Sequence, residues 1–373
     1  MFFVHPQIKL NKRIFSAFFK APDLDFLKNK LSLYYPNKQF VFTDMGRTAF
    51  KLIIEKMNLQ NSNIIFPAYI CDIFYPILKD YNIKPVFVDI KLNTFNIDAG
   101  DVLEKINPNT KAILVSHTYG LPAEMEKFKN IMIIEDYSHS FGAKYKDKFV
   151  GNFGTVSFSS LYKQFPSLRG GVLICPKDWH INIPETEFSF RDFVSFLNSF
   201  PLFAFLFKSL GSKTPTLAEN FIRKEKTNKP AGINSVSLNL FSQYLEDFDK
   251  RLERRKRTAV FLQQKLKEIG FEVQDPEANV FCYVSGLMPK KLKDKRDKLV
   301  AELKKEKVFC TRIWHTPIIL NKQVQKEYGI NLNEFPNTVE ASERVINFPL
   351  QNHYDEKNIN SMVNRIRKII NKL

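Results

Sequence analysis

The stretch IMIIEDYSHSFGA runs from Ile131 to Ala143. Four apolar residues in succession give way to Glu135 and Asp136, then to Tyr137, Ser138 and His139. An apolar run this short, bounded by polar residues, reads as a strand buried on both faces. Such strands belong to parallel sheets covered by helices on either side. Ligands in those sheets bind beyond the carboxyl ends of the strands. Asp136 and His139 therefore stand where a ligand is expected.

The segments around it repeat the pattern. NIIFPAYI, KPVFVDI, KAILVSH, TVSFSSL and GVLICP are strand-like, while DIFYPILKDYNI and DAGDVLEKI are helix-like. The alternation predicts an α/β fold with a mostly parallel mixed sheet. From about 180 to 230 the chain becomes rich in phenylalanine and is interrupted by Pro201, which predicts two short helices. This segment reads either as a flap or subunit interface, or as a peripheral membrane contact through 188–210. SLNLFSQYLEDFDKRLERRKRTAVFLQQKLKEIG then predicts one long helix leading into a smaller α+β domain. The expected division is a large domain over 1–245 and a small C-terminal domain over 246–373.

The chain has 373 residues, 44% of them hydrophobic, and a net charge of +17. Two domains with a sizeable core fit that length. The charge suits anionic partners, but the basic residues are spread out. KKLKDKRDKLVAELKKEK reads as a solvated helix face, and no nucleic-acid reader motif is visible. Four dispersed cysteines make no CxxC pair, which argues against a metal cage or a disulfide framework and favours a reducing compartment. The opening residues lack the pattern of a signal peptide, and no apolar run reaches the ~20 residues that span a bilayer. A cytoplasmic location is expected, with contact at the inner membrane face as the variant that the Phe-rich segment allows.

Four pieces suit one site. TDMGRTAF opens a helix at Gly46, where the amides of Arg47 and Thr48 can bind phosphate; a glycine before a helix can also be only a turn. Asp136 can hold a protonated heteroaromatic nitrogen, or simply cap the next turn. His139 can reach an oxygen on the same ring. Lys163, in FSSLYKQFPSLRGG, lies among residues that read as buried and can form a Schiff base with an aldehyde. Ser157, Ser159 and Ser160 precede it, and Gly170–Gly171 let the chain pass close by. An amine, a carboxylate and an anion cradle are what pyridoxal 5′-phosphate requires.

In this order GRTA, IIFPAYIC, KPVFVDIKLNTFNID, TKAILVSHTYGLPAEM, EDYSHSFGAKY and the lysine before GG resemble the DegT/DnrJ/EryC1/StrS sugar aminotransferases. The resemblance runs from about 38 to 175 and resumes weakly later. It implies a fold type I PLP-dependent transferase. It implies Lys163 as the cofactor-holding lysine, Asp136 as partner of the ring nitrogen, and His139 near the ring hydroxyl. Arg47, Thr48 and a serine, chosen as Ser159 over Ser157 and Ser160, would bind phosphate. Asn234 would reach the phosphate of a neighbouring subunit, which implies a homodimer with composite sites. Cys71 stands where an aromatic residue commonly stacks on the ring, so Tyr69 or His139 is expected to stack instead. His117 is either packing or a contact, and His315 either packing or part of the substrate pocket. The implied reaction moves an amino group from an amino acid, glutamate by resemblance, to a nucleotide-linked keto-sugar in polysaccharide or related amino-sugar synthesis. A sugar dehydratase of the same superfamily and a non-catalytic membrane-peripheral relative are the alternatives.

Overall fold

The computed structural model describes all residues except 5, 9–11, 129–130, 211–228 and 278. Seven strands form the main sheet: β1 (Gln39–Thr43), β2 (Asn63–Pro67), β3 (Lys84–Val88), β4 (Thr110–Ser116), β5 (Met132–Asp136), β6 (Val156–Ser160) and β7 (Gly171–Cys175). Their spatial order is β1-β7-β6-β5-β4-β2-β3. All run the same way except β7, which is antiparallel to both neighbours.

Alternate residues of the central strands enter two different cores. Ile64 and Phe66, Ala112 and Leu114, and Ile134 pack on one face. Ile65, Ile113, Val115 and Ile133 pack on the other. This is why the sequence shows continuous apolar runs instead of alternation. Each of these Ile, Leu, Val and Phe side chains contributes on the order of 2 kcal/mol through burial.

Helix α1 (Gly46–Lys56) follows β1. The Phe-rich segment folds as the two helices expected. α2 (Phe190–Asn198) opens with a capping box between Ser189 and Asp192. α3 (Pro201–Leu210) begins at the proline, and the pair is bent by 107°. Phe190, Phe193, Leu202 and Phe203 are exposed on them. Among the described residues no single helix is long and apolar enough to cross a membrane. The Phe-rich segment's continuation over 211–228 lies outside the described residues.

The long helix expected after residue 235 is in fact two. α4 (Ser235–Leu245) is capped by Asn234, and α5 (Phe248–Glu268) restarts after Glu246 and Asp247. Two adjacent acidic residues suit the positive end of the new helix better than the negative end of an uninterrupted one. The second, smaller sheet is antiparallel: β8 (Glu272–Val273), β9 (Val284–Leu287) and β10 (Val345–Phe348). It packs with α5, α6 (Arg296–Lys305) and α7 (Glu356–Ile370) in its own core. The N-terminus joins this body: Phe2 and Phe3 pair with Val308 and Phe309.

Candidate active site

The carboxyl ends of β4, β5 and β6 lie side by side, that of β1 joins them across β7, and together they supply the site. Ser116 of β4 is level with Asp136 of β5, which is level with Phe158 of β6. Ser160, Gly171 and Thr43 are level across β6, β7 and β1. Gly46 and Ser160 therefore meet although 114 positions separate them in the chain.

The start of α1 is tightly enclosed. A Cβ on Gly46 would fall 2.4 Å from Ser160 Oγ. One on Gly171 would fall 2.6 Å from the Gly46 nitrogen and from the Met45 carbonyl carbon. Both glycines are required by close approach, and a serine hydroxyl sits at a helix N-terminus, an arrangement that binds phosphate. That hydroxyl belongs to Ser160, not to Ser159. Side chains alternate along a strand, so Ser159 and Ser157 point to the opposite face, where Ser157 bonds the Gly151 carbonyl (2.8 Å). Thr48 donates its hydroxyl to Asp44 (2.5 Å) and its amide to the Met45 carbonyl (3.1 Å). Thr48 thus braces the turn, while Gly46 and Ser160 form the candidate cradle. Arg47 is half-buried in the first turn of α1.

Asp136 is buried at the end of β5. One carboxylate oxygen accepts from the Ser138 amide (3.0 Å), and among the described residues the other has no protein partner. Lys163 follows β6 on a single 3₁₀ turn, Leu161–Lys163. It is half-buried, and its ammonium lies 6.0 Å from the ring centre of Trp314. His139 is fully enclosed, stacked on Tyr119 (centroids 5.7 Å apart, 18°), tilted against Trp314 (5.0 Å, 34°), with Tyr283 edge-on. The Tyr119 amide donates to His139 Nδ1 (3.3 Å), which leaves the ring proton on Nε2. Burial, and then the Lys163 charge, hold this imidazole well below its usual pKa, so it stays neutral.

Tyr69 joins the same aromatic group. Its hydroxyl bonds that of Tyr119 (2.9 Å), and its ring meets Trp314 edge-on at 5.6 Å. Cys71 does not join it; its thiol is 3.9 Å from the Asp72 carboxylate. His117 is packing. It is fully buried, accepts from the Ala123 amide through Nδ1 (3.0 Å) and meets Glu135 through Nε2 (3.1 Å). Glu135 in turn accepts from the amides of Gly151 and Gly154, which ties down the loop ahead of β6. His315 turns back onto the Arg312 carbonyl (2.8 Å), and its neighbour Trp314 is the residue that reaches the site. Asn234 caps α4 by accepting from the Ser237 amide (2.9 Å). Its Nδ2 donates to Asp192 (3.2 Å), which is paired with Arg169 (2.6 Å). Both ends of this side chain are engaged inside the chain.

Sequence reasoning missed Trp314, Tyr119, Tyr283 and Asp44 as members of the site. Tyr119 sits in the SHTYG segment already singled out, and its left-handed backbone (φ 58°) is a conformation non-glycine residues seldom adopt. Trp314 shares it (φ 59°). Neither carries a local signal, because their contacts join distant parts of the chain.

The lysine, the carboxylate with one oxygen uncommitted and the glycine–serine cradle fit pyridoxal phosphate. The model of one family matches residues 22–367. The chain belongs to the DegT/DnrJ/EryC1/StrS aminotransferase family. It is accordingly a PLP-dependent aminotransferase. Among curated DegT/DnrJ/EryC1/StrS relatives, the dTDP-4-amino-4,6-dideoxy-D-glucose transaminase of Shigella dysenteriae is 27% identical over 304 residues, covering 77% of this chain and 74% of that protein. The GDP-4-keto-6-deoxy-D-mannose 3-dehydratase of Escherichia coli O55:H7 is 32% identical over 155 residues, 38% of this chain and 40% of that one. Among solved structures, Helicobacter pylori PseC, an aminotransferase involved in the biosynthesis of pseudoaminic acid, matches with a TM-score of 0.77 at 17% identity over 100% of both chains.

Proposed function

We propose that the protein moves an amino group from an amino acid, glutamate by family resemblance, to a keto-sugar carried on a nucleotide. The observation that carries this is Lys163, delivered by β6 beside His139 and beyond the strand that ends in Asp136. Bound PLP would supply an electron sink for the carbon that loses its proton. Asp136 would keep the ring nitrogen protonated, and Ser160 with the start of α1 would hold the phosphate. Neutral His139 would donate through Nε2 to the ring oxygen. Lys163 Nζ would hold the cofactor at rest and, once displaced, carry the proton between the substrate carbon and the cofactor's aldehyde carbon. Tyr69, Tyr119 and Trp314 would exclude water from that transfer. A dehydratase is the second reading, given the relative above; Lys163 favours amine transfer, because some superfamily dehydratases have histidine at that position.

We further propose division near residue 245 and a homodimer. The exposed face of α2 and α3 is its candidate seat, and lipid is the competing occupant. Sedimentation of the purified protein tests the first, and flotation with anionic vesicles the second.

An absorbance scan tests the main reading. The purified protein should absorb at the visible edge of the ultraviolet, Lys163→Ala should abolish that band, and glutamate should convert it. A colourless protein that ignores added PLP would sink the assignment.

A further inference from the structure

Arg169 stands immediately before Gly170 and Gly171, the two glycines that pass the start of α1. Gly170 pairs with Met45, and its carbonyl accepts from the Leu161 amide (2.9 Å), where the turn carrying Lys163 begins. Gly171 lies so close to Met45 and Gly46 that no side chain fits between them. Two glycines have no side chains with which to hold a position, and their backbone is the freest of any residue. The ladder of β7 fixes them on one side. On the other side stands Arg169.

Arg169 is 7% exposed and Asp192, opposite it, 1%. Arg169 Nε donates to Asp192 Oδ1 (2.6 Å). Asp192 Oδ2 accepts from the Ser189 amide (2.9 Å), the Ser189 hydroxyl (2.8 Å) and Asn234 Nδ2 (3.2 Å). Both carboxylate oxygens are engaged, so the group cannot turn away from the guanidinium. A pair buried this fully is costly to desolvate, and apolar residues of the same size often stabilise a fold as well. What such a pair supplies is direction: a charge-assisted bond between two locked partners fixes one geometry. We propose that the Arg169–Asp192 pair positions the phosphate cradle, holding the Gly170–Gly171 passage against the start of α1 from a helix of the Phe-rich segment. Both are positioning residues, acting through Gly170, Gly171 and Gly46 on the phosphate and not on the ring. The proposal rests on the reading of Gly46 and Ser160 as that cradle.

The test compares PLP with pyridoxal, which has the same ring and aldehyde and no phosphate. Each is titrated into the full-length protein freed of cofactor, and the band at the visible edge of the ultraviolet is followed. Asp192→Asn and Arg169→Lys should each weaken PLP binding about tenfold or more, and pyridoxal binding less than about twofold. A pair that serves only the fold would weaken both ligands in the same ratio, or neither, and either result overturns the proposal. Ser189→Ala takes one hydrogen bond from Asp192 at a half-buried position. It should lower the preference for PLP over pyridoxal about threefold. If the other two variants do not fold, an unchanged preference in Ser189→Ala overturns the proposal. Ser160→Ala is measured alongside. If it leaves the preference unchanged, the cradle reading falls and this proposal with it; if it lowers the preference while Asp192→Asn does not, only the role of the pair falls.

Discussion

Ser159 and Ser160 are adjacent in the chain and opposite in space, and the difference is testable. Ser160 Oγ lies at the start of α1, while Ser159 is turned beneath the sheet. Ser160→Ala should weaken PLP binding about tenfold, the loss of one hydrogen bond to a charged group, and Ser159→Ala should leave it unchanged; equilibrium dialysis distinguishes them. Equal effects would remove Ser160 from the cradle. Gly171→Ala should prevent stable folding or cofactor loading, since its Cβ would meet backbone and not a movable side chain. The residue types were legible in the sequence: a lysine before GG, an aspartate closing an apolar strand, a glycine opening a helix. Which of three serines faces the helix was not, because that depends on where the strand begins, and a slip of one residue reverses it.

At the scale of elements, the strands announced themselves because both faces of the sheet are covered. The break between α4 and α5 did not, since helical periodicity continues through it. The Trp314 loop was invisible for another reason: it reaches His139 across 175 positions. Trp314→Ala should keep the PLP band, because the lysine, Asp136 and cradle remain. It should slow amine transfer about tenfold or more by loosening the geometry around Lys163, read as the rate at which glutamate changes the spectrum. The loop ahead of β6 depends on Glu135, which accepts from His117 and two backbone amides. Glu135→Gln turns one acceptor into a donor that faces a donor. We expect a loss of about 3 kcal/mol in urea unfolding, with an unchanged slope.

For the whole molecule, acid sensitivity follows from two histidines. His139 and His315 both have lowered pKa values, from burial first and then from Lys163 and Arg312 respectively. The unfolded chain binds their protons at about pH 6.5 and the folded chain does not. Their contribution is therefore complete above that pH and is lost as pH falls below it. His139→Gln should flatten the decline of stability between about pH 6.5 and 5, measured by the melting temperature across that range. A slope like the parent's would mean that this imidazole does not resist protonation.

One helix is shared by both bodies. The first turns of α5 place Phe248 and Leu252 in the aromatic core behind the large sheet. Its later turns place Ala259, Leu262 and Leu266 in the core of the small one. A rod embedded at both ends does not behave as a hinge. Neither body can melt without stripping the other of part of its wall, so heating should give one calorimetric transition where a two-domain enzyme joined by a linker gives two. The same rod would carry strain directly: a push on the small sheet would arrive at Phe248 and Leu252, in its first turns, without any loop to absorb it.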